Sequence, residues 1–489
     1  MKNLRLIAVL VVAANLAVVA FLRLKTPADT RPAGVSEAIA PLLEDTTQAR
    51  ATYELGDQKE KLNLIVISMD ALRYDRSGFG GNPDGLTPNL DAFMEEAAVF
   101  HDAAAVASWT LPSHMSIWTA RWPSIHGVTN KLKLLSQDQM VPTTLSPGIE
   151  TFPDHLVRAG FTSAGFTGGA GVQAMYGFGR GFETWLDDKP FAGFDYSAPP
   201  ALEWLKANSS KRFFLFLHGY DAHGQHDLTG LRPRDVITDY HGNLDGSIEE
   251  QARLREEGLA SIKNPGDTAD LSGKVSADDA AFLKKVYDLK VKQADERVGA
   301  FLTQLKAMGI YDRSVIAIVS DHGDEFMEHG YVDHGPTLCQ HQLHVVMGIR
   351  FPGFTRRNDI KTPVRLFDLF PTLFDALGLT GPSGVDGQSL MPILRGEKLD
   401  LPMYAESDYR LFVHLRSIRQ GKKKLVLDLS DGGRRLYDLA SDPEEARDGS
   451  SADPRATYEM EQAVRRWLET TRTNPQDYLG LKQEPIKIF

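Results

Sequence analysis

Acidic and imidazole side chains follow three apolar runs of the chain, each at the point where the run ends. The runs LNLIVIS (62–68), RFFLFLH (212–218) and SVIAIVS (314–320) lead into Asp70, the segment GYDAH and the pair Asp321–His322. Ligands of α/β sheets bind at the carboxyl ends of the strands, so we expect these side chains to lie together. Asp70, Asp321 and His322 would offer two oxygens and one nitrogen, which suits Zn²⁺, Mn²⁺ or Mg²⁺.

Thr110 lies in the stretch SWTLPSHMSIWTAR (108–121), which predicts a helix with Pro112 at its start. Thr110 can cap that helix, which is a common use of threonine. It can also be a nucleophile, because a hydroxyl bound to a divalent cation loses its proton more easily. The free N–H groups of the first turn favour an anion, so a metal beside them would indicate phosphoryl or sulfuryl transfer. The stretch alone leaves both roles open.

Further acidic and imidazole residues follow the second and third runs, and they admit several roles. Five of them can complete a second metal site or simply decorate a loop: Glu325, Glu328, His329, Asp333 and His334. A second metal can also draw on Asp221, His223 or His226 together with His334. The spacing permits a second metal without requiring it.

The three apolar runs are short and apolar on both faces, which is typical of central strands in a covered parallel sheet. Helical patterns between them, such as 277–309, predict an α/β sandwich with a largely parallel sheet. We assign a main domain to 61–380, in which the polar stretch 224–278 is either a lid or a solvated excursion. Short strand and turn patterns followed by a helical pattern predict a small α+β subdomain at 381–489.

The N-terminus carries an uncharged apolar segment, 6–22, with Lys2 and Arg5 before it and Arg23 and Lys25 after it. We interpret 1–25 as an uncleaved membrane anchor whose basic start stays in the cytoplasm. The alternative is a cleaved signal peptide, and both interpretations export the rest of the chain. The proline-containing stretch 26–60 suits a linker.

Composition limits the class of partner. The 489-residue chain has a formal net charge of −11, which argues against nucleic-acid binding because such proteins usually carry a basic face. The single cysteine, Cys339, excludes an intrachain disulfide.

Eight segments occur in a fixed order along the chain: IVISMDALRYD, TPNLDAFMEEAAVF, TLPSHMSIWTARWPSIHGV, FLFLHGYDAH, IVSDHGDEFMEHGYVDHG, VRLFDLFPTLFDALGL, DGQSLMPIL and LYDLASDPEE. By this ordered set the chain resembles the sulfatase branch of the alkaline phosphatase superfamily, from about residue 62 to beyond residue 445. The resemblance implies an alkaline-phosphatase-like sandwich, with 61–380 as a metal-dependent catalytic domain acting on an anionic ester.

The resemblance implies that Asp70, Asp321 and His322 are metal ligands and that Thr110 is the nucleophile and fourth ligand. Sulfatases carry Cys or Ser at that position, in a Cys/Ser-x-Pro-x-Arg motif that is oxidised to formylglycine. Threonine has a β-methyl group, so the same oxidation cannot give an aldehyde, and His114 replaces the motif's arginine. Formylglycine is therefore not expected.

Further residues match positions that contact the substrate in the family. The resemblance implies that Asn130 touches the substrate, and that His223 and His334 hold the transferred group or protonate the leaving oxygen. His114 and His218 are additional candidates for substrate contact.

The departures from the family's pattern change the expected chemistry. Sulfatases usually pair two Asp residues after the first strand and use Asp-Asn later, around Ca²⁺. Asp70-Ala71 and Asp321-His322 favour Zn²⁺ or Mn²⁺ over Ca²⁺ or Mg²⁺. Threonine is the nucleophile of superfamily phosphodiesterases and phosphoryl transferases. We therefore expect an exported hydrolase of phosphodiesters or phosphomonoesters with a covalent intermediate on Thr110.

Three alternatives stay open at this point. One is a sulfate-ester hydrolase that works without formylglycine. Another is a phosphoryl transferase acting on an envelope lipid or glycan, and the third is a relative that binds an anion without turnover.

Overall fold

A computed structural model describes residues 59, 61–136, 139–224, 233–262 and 268–473 of the chain. The predicted anchor at 1–25 lies outside the described residues, as does the predicted linker at 26–60 apart from Lys59. Within the described part, no helix combines the length and apolar character needed to cross a bilayer. The predicted domain boundaries stay predictions.

The described residues form nineteen strands, numbered here in chain order. They are β1 (Asn63–Met69), β2 (Ala98–Phe100), β3 (Ala103–Ala104), β4 (Leu132–Ser136), β5 (Gln139–Pro142), β6 (Thr162–Phe166), β7 (Thr184–Leu186), β8 (Phe213–Gly219), β9 (Ser314–Val319), β10 (Glu325–Phe326), β11 (Val332–Asp333), β12 (His344–Val345), β13 (Met347–Arg350), β14 (Asn358–Ile360), β15 (Val364–Arg365), β16 (Met403–Tyr409), β17 (Val413–Gln420), β18 (Lys423–Asp428) and β19 (Arg434–Asp438).

Twelve α-helices lie between or after these strands in the described ranges. They are α1 (Pro88–Met94), α2 (Thr110–Thr119), α3 (Pro123–His126), α4 (Phe152–Arg158), α5 (Phe194–Asn208), α6 (Pro233–Val236), α7 (Ile248–Ala260), α8 (Ala277–Ala307), α9 (Gln340–Leu343), α10 (Leu369–Leu377), α11 (Met391–Leu394) and α12 (Pro454–Thr470).

Eight strands form the central sheet, in the spatial order β14-β2-β13-β9-β1-β8-β6-β7. The five from β9 to β7 run parallel, and β13 is antiparallel to both of its neighbours. The three predicted apolar runs are β1, β8 and β9, side by side at the centre. This confirms the predicted α/β sandwich with a largely parallel sheet.

Both faces of the sheet are covered, which explains why its central strands are apolar throughout. In β1, Leu64 and Val66 belong to one buried cluster while Ile65 and Ile67 belong to the other. Helices α2 and α10 contribute to the first cluster, and the long helix α8 contributes its N-terminal part to the first cluster and the rest to the second. A strand anchored on two sides holds the residue at its end in a fixed place.

The C-terminal part confirms the predicted α+β subdomain. Strands β16 to β19 form a four-stranded antiparallel sheet in sequence order, and α12 follows them. Trp467 of α12 stacks on Tyr404 of β16 and packs edge-on against Trp122, which follows α2. The subdomain is thus packed against the region that carries Thr110.

We expect Phe216→Ala to destabilise the fold strongly. Phe216 is fully buried in β8, and its ring lies 4.5 Å from that of Trp118 in α2. Truncating a buried aromatic residue typically costs about 3–5 kcal/mol because a cavity remains. The urea midpoint should fall well below that of Tyr458→Ala, a control on a side chain that is 61% exposed. Equal midpoints would contradict this account of the core.

Candidate active site

The register of the central strands brings two carboxylates together. Ser68 of β1 pairs with Val319 of β9, so Asp70 and Asp321 each lie two residues beyond the same rung. Both carboxylates are fully buried. Ala71 adopts a left-handed conformation (φ 57°), and its N–H donates to Oδ1 of Asp321 at 3.1 Å. This turn ties the end of β1 to the end of β9.

His322 presents its second ring nitrogen to these carboxylates. Its Nδ1 lies 2.8 Å from the Gly323 carbonyl oxygen, to which it donates, so Nε2 carries the lone pair. Nε2 lies 3.4 Å from Asp321 Oδ2 and 4.0 Å from Asp70 Oδ1. A backbone carbonyl that fixes the tautomer in this way is typical of metal-binding histidines.

The three residues predicted as metal ligands are brought together and fit a divalent cation. One ligand atom from each of Asp70, Asp321 and His322 lies within 4.8 Å of the others. Asp70 Oδ1 and Asp321 Oδ2 are buried without a hydrogen-bond partner. Burial and the nearby charge of Asp321 raise the pKa of Asp70 to about 8. A cation among these oxygens would offset both penalties.

Thr110 is not the cap of its helix. Helix α2 begins at Thr110, two residues before Pro112, and the capping position is Trp109, which makes no side-chain capping bond. The Thr110 hydroxyl instead lies 3.2 Å from His322 Nε2. The structure thus removes the capping role and places the hydroxyl beside the candidate metal ligands.

Gly171 packs directly on Thr110. A Cβ added at Gly171 would lie 2.9 Å from both Cβ and Cγ2 of Thr110, closer than real side chains approach. The Gly171 N–H donates to the hydroxyl of Tyr220 at 2.9 Å, and that hydroxyl donates to the Gly169 carbonyl at 3.1 Å. The glycine-rich segment after β6 therefore packs against Thr110.

His334 is held by two carboxylates on one side of its ring. Its Nδ1 lies 2.8 Å from Asp333 Oδ1 and 3.3 Å from Asp324 Oδ1. Burial alone would lower the pKa of His334, but the charges of Asp333 and Asp324 raise it well above its usual value. Its ring centroid lies 4.2 Å from that of His322 and 4.9 Å from that of His223. These two carboxylates therefore favour the protonated form of His334 beside the candidate metal ligands.

His223 joins the site through its ring, whereas Asp221 does not. His223 is buried beside His334 and packs on Phe191 at 5.2 Å. The Asp221 carboxylate accepts hydrogen bonds from the Arg297 guanidinium and from the Phe194 N–H. His226 lies outside the described residues.

His114 and His218 are fully buried and contact the two carboxylates. His114 Nδ1 lies 3.2 Å from Asp321 Oδ2, and its Nε2 lies 2.9 Å from the Ser68 hydroxyl. His218 Nε2 lies 3.3 Å from Asp70 Oδ2. Both therefore support Asp70 and Asp321 from within the fold, and their predicted contact with substrate stays a prediction.

Asn130 is joined to this set less directly. It is buried, and its amide donates to the Asp408 carbonyl in β16, while its Oδ1 has no hydrogen-bond partner. The neighbouring Tyr409 packs edge-on against Trp109 at 5.5 Å, and Trp109 directly precedes Thr110. The substrate contact predicted for Asn130 stays a prediction.

The remaining candidates of the 325–334 segment divide between two places. Glu328 pairs with Arg73 at 2.7 Å, and Arg73 also pairs with Asp75. Glu325 and His329 contact each other at 2.6 Å and do not contact the Asp70 group.

The sequence reasoning missed Asp324 and Gly171. Asp324 lies three residues after Asp321 and reaches His334 only because β10 and β11 pair as a hairpin. Gly171 follows β6, which is parallel to β8 and central enough for its end to reach the site. The sequence signal for Gly171 is the GGAG segment (168–171), which begins two residues after β6 ends.

A family model described as Sulfatase matches residues 62–379. The chain is 21% identical to arylsulfatase K from Danio rerio, covering 90% of this chain and 92% of that protein. Its fold is similar to that of a 2-O GAG sulfatase, with a TM-score of 0.67 at 19% identity over 85% of this chain and 94% of that chain. A phosphonate monoester hydrolase of Agrobacterium radiobacter gives a TM-score of 0.66 at 18% identity, over 85% and 96%.

We expect His126, which precedes the Asn130 loop, to make the fold acid-sensitive. Its Nδ1 accepts a hydrogen bond from the Val128 N–H, and its Nε2 contacts the Ser116 hydroxyl. Both nitrogens of the neutral ring therefore have hydrogen-bond partners. Burial lowers the pKa of His126 from 6.5 to about 3. Between these values the unfolded chain binds more protons, so stability is lost as the pH falls.

The measurement is the urea midpoint from neutral pH to about pH 4. His126→Asn should be less stable at neutral pH but should show a shallower loss on acidification. His155→Asn, on a histidine that contacts Glu150, is the control and should follow the wild type. Parallel curves for all three proteins would contradict the assignment.

Proposed function

The chain belongs to the sulfatase family, and from that premise we propose that it is an exported, metal-dependent hydrolase of phosphate esters that uses Thr110 as its nucleophile. Hydrolysis of ester bonds is the activity of the family. The choice of phosphate and of Thr110 is the proposal, and the apolar segment 6–22 supports export.

The position of the Thr110 hydroxyl is the observation that carries the proposal. It stands at the first residue of α2, takes no capping role and contacts His322 at 3.2 Å. The N–H groups of the first helical turn and the imidazolium of His334 provide positive potential for an anion. An unmodified hydroxyl beside candidate metal ligands is suited to attack on phosphorus.

The candidate metal ligands are Asp70, Asp321 and His322, with the Thr110 oxygen as a fourth. A divalent cation bound there would make the hydroxyl more acidic and would neutralise charge on the transferred group. Two oxygens and one imidazole nitrogen favour Zn²⁺ or Mn²⁺ over Ca²⁺.

The proposed reaction proceeds in two steps at Thr110. Oγ1 of Thr110 gives up its proton to solvent and attacks phosphorus in line with the ester oxygen, so that the bond to the leaving oxygen breaks as the phosphothreonine forms. His334 gives its proton to the leaving oxygen, since its Nδ1 is fixed by Asp333 and Asp324 and its Nε2 is on the opposite side of the ring. Water then gives a proton to His334 and attacks the phosphothreonine, so that the bond between phosphorus and Oγ1 breaks and Oγ1 takes a proton from solvent.

Sulfate-ester hydrolysis is the second candidate. Arylsulfatase K and the 2-O GAG sulfatase are named for it, and both are similar to this chain over most of its length. Against this candidate, the site would lack the aldehyde that sulfatases use, because Thr110 cannot be converted to formylglycine.

We expect Thr110→Ala to reduce hydrolysis of an aryl phosphodiester by about 10³-fold or more, because the covalent route is removed. Thr110→Ser keeps the hydroxyl but loses the methyl group, so it should stay within about 10²-fold of the wild type. The full chain is assayed with Zn²⁺ or Mn²⁺ against matched aryl phosphodiester, phosphomonoester, phosphonate and sulfate substrates.

Thr119→Ala removes a second buried hydroxyl from the same helix and is the matched control. Acid quenching followed by mass spectrometry should find a phosphoryl group on the Thr110 peptide of the wild type. Unchanged turnover in Thr110→Ala would show that Thr110 is not the nucleophile. Faster cleavage of the sulfate than of the phosphate substrates would show that the enzyme acts on sulfate esters.

We expect His334→Asn to slow the hydrolysis of esters with poor leaving groups more than that of esters with good leaving groups. Proton donation matters little for an activated aryl oxygen and contributes about 10²–10⁴-fold for an alkyl oxygen. The measurement is kcat for aryl and alkyl esters, with His155→Asn as the control. An equal loss for both esters would show that His334 holds the anion and does not protonate the leaving oxygen.

A further inference from the structure

A second group of metal-binding side chains lies apart from the Asp70 group. We call His329, Cys339 and His341 the Cys339 cluster. One ligand atom from each of the three lies within 4.8 Å of the others. His329 follows β10, while Cys339 and His341 lie at the start of α9, so two separate segments supply the cluster.

His329 is held in the way that zinc-binding histidines are held. Its Nδ1 lies 2.6 Å from Oε1 of Glu325, a fully buried carboxylate. The other oxygen of Glu325 accepts hydrogen bonds from Thr337 and Gln342, so the carboxylate is itself fixed. A carboxylate that fixes one nitrogen of a histidine leaves the other nitrogen to bind metal. That nitrogen now contacts the Glu444 carbonyl oxygen at 2.9 Å, a bond that metal would replace.

His341 supplies the second, independent sign of a ligand. Its side chain is only 9% exposed, and its Nδ1 is buried without a hydrogen-bond partner. A buried ring nitrogen without a partner loses its hydration and gains nothing in return. Coordination of a cation by Nδ1 of His341 would give that nitrogen a partner, while Nε2 already contacts Glu444.

A carboxylate at the rim, outside the 4.8 Å group, can supply a fourth ligand if its side chain rotates inward. Glu444 Oε2 lies 2.9 Å from His341 Nε2, and the Glu444 side chain is 66% exposed. Tetrahedral zinc places its N and S ligands about 3.3–3.6 Å apart, so atoms that lie within 4.8 Å of one another have to approach by at most about 1.5 Å. Cys339 is buried, and a thiolate with two imidazoles selects zinc over Mg²⁺ or Ca²⁺.

We propose that His329, Cys339, His341 and Glu444 bind a structural zinc ion. The ion ties the β10–β11 hairpin, which carries His334, to α9 and to the C-terminal segment around Glu444. Gln342 links the two regions further, because its Oε1 accepts from the Gly335 N–H next to His334. Zinc binding here is independent of which ester the enzyme cleaves.

The test is a cobalt titration of the full chain after removal of metal, under reducing conditions and with folding checked by circular dichroism. A thiolate bound to Co²⁺ gives a near-ultraviolet charge-transfer band. The chain has one cysteine, so such a band can come only from Cys339. We expect the band in the wild type, saturating by two equivalents because the Asp70 group also takes up metal, and in Asp321→Asn, where the Asp70 group is disrupted, saturating by one equivalent.

Cys339→Ala should lack the band and should hold one zinc equivalent less than the wild type by elemental analysis. His341→Gln and His329→Gln should bind Co²⁺ at least about 10-fold more weakly through the thiolate. His155→Gln is the matched control and should resemble the wild type. Absence of the band in the folded wild type would overturn the proposal, and so would an unchanged band in both cluster histidine variants.

Discussion

Two fully buried carboxylates at neighbouring strand ends are the constraint on which the site depends. Asp70 and Asp321 lie without solvent access, and each has an oxygen that no hydrogen bond satisfies. Like charges buried together are costly unless positive charge compensates them. Three imidazoles surround the pair, from His114, His218 and His322. The remaining need for charge is what makes a divalent cation the fitting occupant.

The sheet makes this arrangement possible because its strands cannot shift. Each central strand is packed on both faces, so a slip of one rung would move every apolar side chain to the opposite cluster. The register that pairs Ser68 with Val319 and with His218 therefore also fixes the depth at which Asp70, Asp321 and His218 stand. Core packing and site geometry are in this sense the same property of the fold.

The sequence was sufficient for the centre of the fold and for the residues at its strand ends. Strands β1, β8 and β9 are predicted because their apolar character is continuous, and Asp70, Asp321 and His322 follow from where those strands end. Short strands such as β2 and β13 carry too few residues to show a period. The contact between Asp324 and His334 depends on a hairpin in which Asp333 adopts φ 91°, a conformation that residue type does not reveal.

The sequence leaves open whether Thr110 caps its helix, and packing decides this question. Threonine is branched at Cβ, so its side chain is stiff and its hydroxyl points where its methyl group allows. Gly171 leaves room for that methyl group, since a side chain there would collide with Cγ2 of Thr110.

Tyr220 fixes Gly171 through the Gly171 N–H, and the Gly169 carbonyl fixes the Tyr220 hydroxyl in turn. The hydroxyl of Thr110 is thereby turned toward His322 by packing, with no bond to its own helix. A wall that fits the methyl group of threonine is what a site would need if threonine itself, unmodified, performs the attack.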